Sequence, residues 1–88
     1  MNVHDKFQDA VARSKSLPPQ SNENLLKIYA LYKQANIGDV SGPKPGAFNL
    51  KAKAKYQAWE GLKGMTQPQA MAQYVALIDE LSGKGGSV

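Results

Sequence analysis

"YALYKQANIGDVSGPKPGAFNLKAKAKYQAWEGLKG", residues 29–64, decides how this chain folds. It opens in helical periodicity and closes in it. Between the two runs, "GDVSGPKPGAFN" places three glycines and two prolines. Such a connection is ordered by proline and turn geometry rather than by hydrogen-bond ladders. A long connection between two helices argues against simple up-down-up-down winding and for a crossover. Gly38 suits the left-handed position that follows a helix.

Working outward, the run "ENLLKIYALYKQAN" is apolar on more than one face. Leu25, Tyr29 and Tyr32 form one stripe, and Ile28, Leu31 and Ala35 another. A helix apolar over so much of its circumference touches two neighbours, or a neighbour and a ligand. Ser21 or Asn22 is suited to cap it. Upstream, Val3, Phe7, Ala10, Val11 and Ser14 give an i, i+4, i+7 stripe that must stop before Pro18 and Pro19. Downstream, Asn49 caps a helix expected to run to Lys63, with Gly64 as its stop, and Ala54, Ala58 and Leu62 inside. Thr66 and Gln69 have capping-box spacing for a last helix, with Pro68 in its tolerated first turn. Its inner stripe is Ala70, Tyr74, Leu77, Ile78 and Leu81. No segment alternates as a strand does, so the expected fold is all-α with four helices.

With 88 residues, the chain is expected to form one domain, residues 1–83, followed by a flexible tail, 84–88, with no apolar anchor. The hydrophobic content of 42% suffices for a thin core, and ligands then belong in a groove rather than an internal cavity. With no cysteine, disulfides and thiolate chemistry are excluded. "MNVHDKFQDA" lacks the apolar stretch of a secretory signal, and "LLKIYALY" is far shorter than a membrane span. A soluble protein is expected. The net charge of +4 favours anionic partners, whether phosphate-bearing metabolites, nucleic acid or an acidic lipid surface.

No catalytic constellation is present in the sequence. The one histidine, His4, lies at the start of the first helix, no serine sits in a nucleophile elbow, and Asp79 and Glu80 point about 100° apart on their helix. No metal-ligand cluster appears, and "GPKPG" lacks phosphate-loop spacing. An enzyme is not expected. The basic residues say more. Lys51, Lys53 and Lys55 crowd the first turns of a helix, where each cation costs about 0.3 kcal/mol or more against the dipole. Lys51 and Lys55 share a face and Lys53 points elsewhere. Tyr29, Tyr32 and Lys33 likewise share a face, and Tyr74 sits in mid-stripe, where its hydroxyl needs a partner. On residues alone, three readings stand: a phosphate-ligand carrier, a small basic nucleic-acid binder, or a protein-interaction bundle with no small ligand.

Residues Tyr29, Tyr32, Lys33, Gln34 and Ala35, then Gly38 and Asp39, then Pro45 and Gly46, follow the order of a known signature. Lys51, Lys53, Ala54, Lys55, Tyr56, Ala58, Trp59, Leu62, Lys63 and Gly64 continue it, and Ala70, Met71 and Tyr74 close it. The chain strongly resembles the acyl-coenzyme A binding protein family over nearly its whole length. The resemblance implies a four-helix up-down-down-up bundle with a long connection between helices 2 and 3. It implies an intracellular, cytoplasmic, monomeric, non-enzymatic carrier that binds and buffers medium- to long-chain fatty acyl-CoA thioesters and serves acyl-CoA-using enzymes. No cofactor, metal, nucleic-acid partner or stable membrane insertion is implied. By resemblance Tyr29, Lys33 and Lys55 hold the ribose 3′-phosphate, with Lys51 nearby, Tyr74 beside the nucleotide and Lys15 at the rim. Ala30, Leu31 and Tyr32 belong to the ligand-contacting helix. Val11 stands where the family usually has Ala and Tyr56 where it often has Trp, departures that leave the phosphate-binding set untouched and bear on chain-length preference.

Overall fold

Each of the four helices starts where a short polar side chain caps it. In the computed structural model, which describes residues 2–83, α1 spans Val3–Ser14, α2 Asn22–Asn36, α3 Leu50–Glu60 and α4 Gln67–Leu81. The expected tail, 84–88, lies outside the described residues. Asn2 Oδ1 accepts from Asp5 N at 2.8 Å, Ser21 Oγ from Asn24 N at 3.1 Å and Asn49 Oδ1 from Ala52 N at 3.2 Å. Thr66 and Gln69 close the expected capping box, with bonds of 3.2 and 3.0 Å. Each such cap is worth about 1 kcal/mol.

The third helix ends earlier than its pattern suggests. Gly61 N to Gln57 O is its last i→i−4 hydrogen bond, and tighter i→i−3 turns carry the chain on: Leu62 N to Trp59 O, Lys63 N to Glu60 O and Met65 N to Leu62 O. Gly61 weakens helix continuation by about 1 kcal/mol relative to alanine. The tighter turn also brings Gly64, at φ +94°, to where its N–H donates to Asp39 Oδ1 at 2.8 Å.

Contacts fix the directions of the helices. Residues 29 and 33 of α2 meet 55 and 59 of α3, so these two run parallel. Gln67 at the start of α4 reaches the Ala35 carbonyl near the end of α2, whereas Leu77 and Glu80 share a groove with Glu23 and Lys27, so α2 and α4 are antiparallel. Phe7 packs on Tyr74 and Arg13 pairs with Asp79 at 2.8 Å, so α1 and α4 are parallel. The bundle is therefore up-down-down-up, in the spatial order α1, α4, α2, α3. The core comprises Phe7, Ala10, Leu31, Ala35, Ala70, Tyr74 and Ile78. Phe7 and Tyr74 meet edge to face at 5.1 Å, which adds about 1 kcal/mol to their burial.

The long connection is tied down at its start, which sets how α3 lies on α2. Gly38 takes φ +97° after α2, as expected. Its carbonyl accepts Trp59 Nε1 at 2.8 Å, and Asp39 accepts both Gly64 N and Gln34 Nε2. Those bonds, that from Gly64 first, hold the Asp39 carboxyl below its ordinary pKa. Gln34 is fully buried and also donates to the Met65 carbonyl at 2.8 Å. Tyr56 is turned to the connection rather than into the groove described next: its hydroxyl donates to the Gly42 carbonyl at 3.3 Å. Val11 packs half-buried against the core and does not line the groove described next.

Candidate functional site

Because α3 leans on α2 alone, an apolar groove opens between them on the side that Tyr74 of α4 closes. It holds about 690 Å³. Its apolar wall comes from Leu25, Leu26, Ile28, Leu50 and Ala54, and its polar edge from Tyr29, Tyr32, Lys51, Lys55 and Tyr74. Two turns of α2 place Leu25, Tyr29 and Tyr32 on one face, and Lys51, Ala54 and Lys55 recur at helical spacing on α3.

Lys33 and Lys55 converge on one ring. Their Nζ atoms lie 5.8 and 5.3 Å from the Tyr29 centroid, and Lys33 Nζ lies 5.6 Å from that of Trp59. These distances are within cation–π reach, each contact worth about 0.5–1 kcal/mol at a partly exposed position. The aromatic faces hold two like charges together that would otherwise repel. Among the described residues neither ammonium, nor that of Lys51, has a carboxylate within 4.0 Å, whereas Lys27 pairs with Glu23 and Lys44 with Glu60. Positive charge is thus concentrated, and left uncompensated, at the edge of an apolar groove. Tyr74, only 2% exposed, has its pKa raised by burial, against which the Ser14 hydroxyl works. Its phenol stays protonated and serves as a neutral hydrogen-bonding group.

Of the residues expected from sequence, Tyr29, Tyr32, Lys51, Lys55 and Tyr74 line this groove and Lys33 stands at its tyrosine. Ala30 and Leu31 are not brought to it. They are buried on the other side of α2, where they line a second groove of about 560 Å³ with Leu62 and Leu77. Lys15 is the exposed C-cap of α1 and lies outside the lining of both grooves. The apolar lining residues Leu25, Leu26, Ile28, Leu50 and Ala54 were not anticipated as site residues. Leu50 could have been found from its place one residue before Lys51, and Ile28 from its second stripe.

The arrangement suits an amphiphile with an anionic head and an apolar tail. Among the described residues no group of three or more His, Asp or Glu side chains could hold a metal ion.

A family model described as "Acyl CoA binding protein" matches residues 4–78. The chain is 49% identical over 82 residues to Acyl-CoA-binding protein homolog 1 of Caenorhabditis elegans, covering 92% of this chain and 95% of that protein. It is 44% identical over 86 residues to the Acyl-CoA-binding protein of Saccharomyces cerevisiae, covering 97% and 99% respectively. The crystal structure of Oryza sativa Acyl-CoA-Binding Protein 2 superposes with a TM-score of 0.88 at 38% identity, over 91% of this chain and 90% of that one.

Proposed function

The chain belongs to the acyl-CoA-binding protein family, and on that premise we propose that it carries fatty acyl-CoA thioesters, with the phosphate-bearing head at Tyr29, Lys33, Lys51 and Lys55. The observation that carries this reading is the pair of unpaired ammoniums over Tyr29 at the rim of an apolar groove. The relatives lend no support to a nucleic-acid or a protein-interaction module. No helix among the described residues is long and apolar enough to cross a membrane.

The head and the tail of such a ligand contribute differently. A phosphate about 4 Å from a lysine gains about 4 kcal/mol per unit charge at an effective permittivity near 20. Burying about a dozen methylenes yields about 10 kcal/mol before the cost of ordering the chain and the groove. Medium- to long-chain esters are therefore the proposed cargo, held by residues 1–83 of a cytoplasmic monomer that buffers them and passes them to acyl-CoA-using enzymes, itself catalysing nothing and needing no cofactor. Tyr74 is proposed to flank the nucleotide, Tyr32 to line the path beside it and Lys15 to attract the head from the rim. Ala30 and Leu31 act from behind, as the packed side of the ligand-contacting helix.

The test is titration calorimetry with palmitoyl-CoA, free coenzyme A and palmitate. One-to-one binding is expected, tightest by orders of magnitude for the thioester. Equal affinity for palmitoyl-CoA and free coenzyme A would remove the groove from the reading. Absence of binding by all three would remove the reading itself.

A further inference from the structure

The stretch 40–59 contains Lys44, Lys51, Lys53 and Lys55 and no carboxylate, and so carries a charge equal to the whole net charge of +4. At its centre Phe48 stands entirely in solvent, with a relative exposure of 102%, and Leu50 beside it is 74% exposed. Phe48 packs on nothing in the core and lines neither the ligand groove nor the second groove. A phenylalanine left out of a thin core, in a chain with only two, is an exposed apolar tip, and Lys44 and Lys53 share a shallow depression with its neighbour Ala47. The opposite side of α2 is less basic: Glu23, Lys27 and Glu80 line the second groove, and Lys27 pairs with Glu23.

We propose that the Phe48–Leu50 tip, with Lys44 and Lys53 beside it, is a docking point for anionic lipid bilayers. The phenyl ring enters the headgroup boundary while the lysines meet lipid phosphates and carboxylates. Glu60 approaches Lys44 at 4.0 Å, a loose pair in which the lysine side chain, 73% exposed, remains accessible to lipid. The tip is continuous with the ligand groove, because Leu50 lines that groove beside Lys51. Docking therefore turns the groove mouth toward the lipid surface, where an amphiphile with a long acyl chain partitions. That consequence rests on the proposed ligand; the docking itself does not. One ring and a few lysines make the contact peripheral and reversible.

Flotation of the ligand-free protein with vesicles of phosphatidylcholine, with and without phosphatidylserine, tests the inference. Wild type is expected to float with the anionic vesicles, less so as salt rises. Phe48→Ser should weaken this by about tenfold, and Lys44→Gln with Lys53→Gln by about fivefold for each lysine. Neither variant touches the core or the ligand groove, so unchanged palmitoyl-CoA binding checks that each is folded. If palmitoyl-CoA fails to bind wild type while flotation succeeds, the ligand reading falls and the docking surface stands. The inference is overturned if wild type ignores anionic vesicles, if it floats equally with uncharged ones, or if Phe48→Ser floats as well as wild type. Retention on an acidic protein or nucleic acid without flotation would overturn it equally.

Discussion

Replacing Lys55 by Gln removes one of the two ammoniums over Tyr29 while keeping the length and polarity of the side chain. Its size of effect follows from the geometry. Lys55 is exposed, so the permittivity it feels lies between about 20 and that of water, and a phosphate about 4 Å away gains between about 4 and 1 kcal/mol per unit charge. Taking about 2 kcal/mol, affinity for palmitoyl-CoA should fall about 30-fold. The informative comparison is the same ester lacking the 3′-phosphate. Wild type should bind it more weakly, and Lys55→Gln should then cost no more than about threefold, because the charge it would have met is gone. Titration calorimetry at low and moderate salt measures all four affinities, and the loss should shrink as salt screens it. Lys27→Gln is the control: this lysine pairs with Glu23 at 3.7 Å and lines the other groove. If Lys55→Gln weakens both esters alike, the lysine is not reading the 3′-phosphate and the assignment of the head site fails.

Leu25→Ser should weaken palmitoyl-CoA by about 1–2 kcal/mol, with thermal stability nearly unchanged, since Leu25 is 50% exposed and lines the groove; equal losses of both in calorimetry and melting would place it in the core instead. Ile78→Ala, at a position with no exposed surface, should cost about 2–4 kcal/mol of folding free energy by urea unfolding and leave the intrinsic affinity of the folded form intact. Stability followed by Trp59 fluorescence should be level through neutral pH. It should decline as pH falls below 3.8, where the unfolded chain takes up the proton that folded Asp39 resists, and decline again above pH 10.0, where tyrosine ionises unfolded but Tyr74 is held neutral. Rising stability in either window would contradict the corresponding environment.

Helix existence was legible because period and caps agree at α2, α3 and α4, Thr66–Gln69 most completely, while α1 was read from its period and the prolines that end it. The end of α3 was not, because Gly64 looks like a helix stop whether an α-turn or a tighter turn precedes it. Only Asp39, distant in sequence, selects the second by accepting the Gly64 N–H. The site divides in the same way. Tyr29, Tyr32 and Lys33 could be grouped from one face of α2, and Lys51 with Lys55 from one face of α3, since each group needs only helical spacing. That Lys55 meets Tyr29 required the parallel register of the two helices.

That register depends on a few bonds made by the long connection. Trp59 holds the Gly38 carbonyl, and Asp39 ties Gly38's neighbourhood to Gly64 and Gln34. With the C-terminal end of α3 pinned there, parallel to α2, Lys55 falls one turn back against Tyr29 and Lys51 a further turn toward Leu25. The same pinning leaves α3 clear of α4, and two grooves result, one on each side of α2 with Leu26 in the wall of both. Ala30 and Leu31 fall to the far groove because residues next to Tyr29 and Tyr32 in sequence are about 100° away on the helix. The composition of α2, apolar on two faces, was visible in the sequence; which face meets the basic helix is decided by residues 38, 39, 59 and 64.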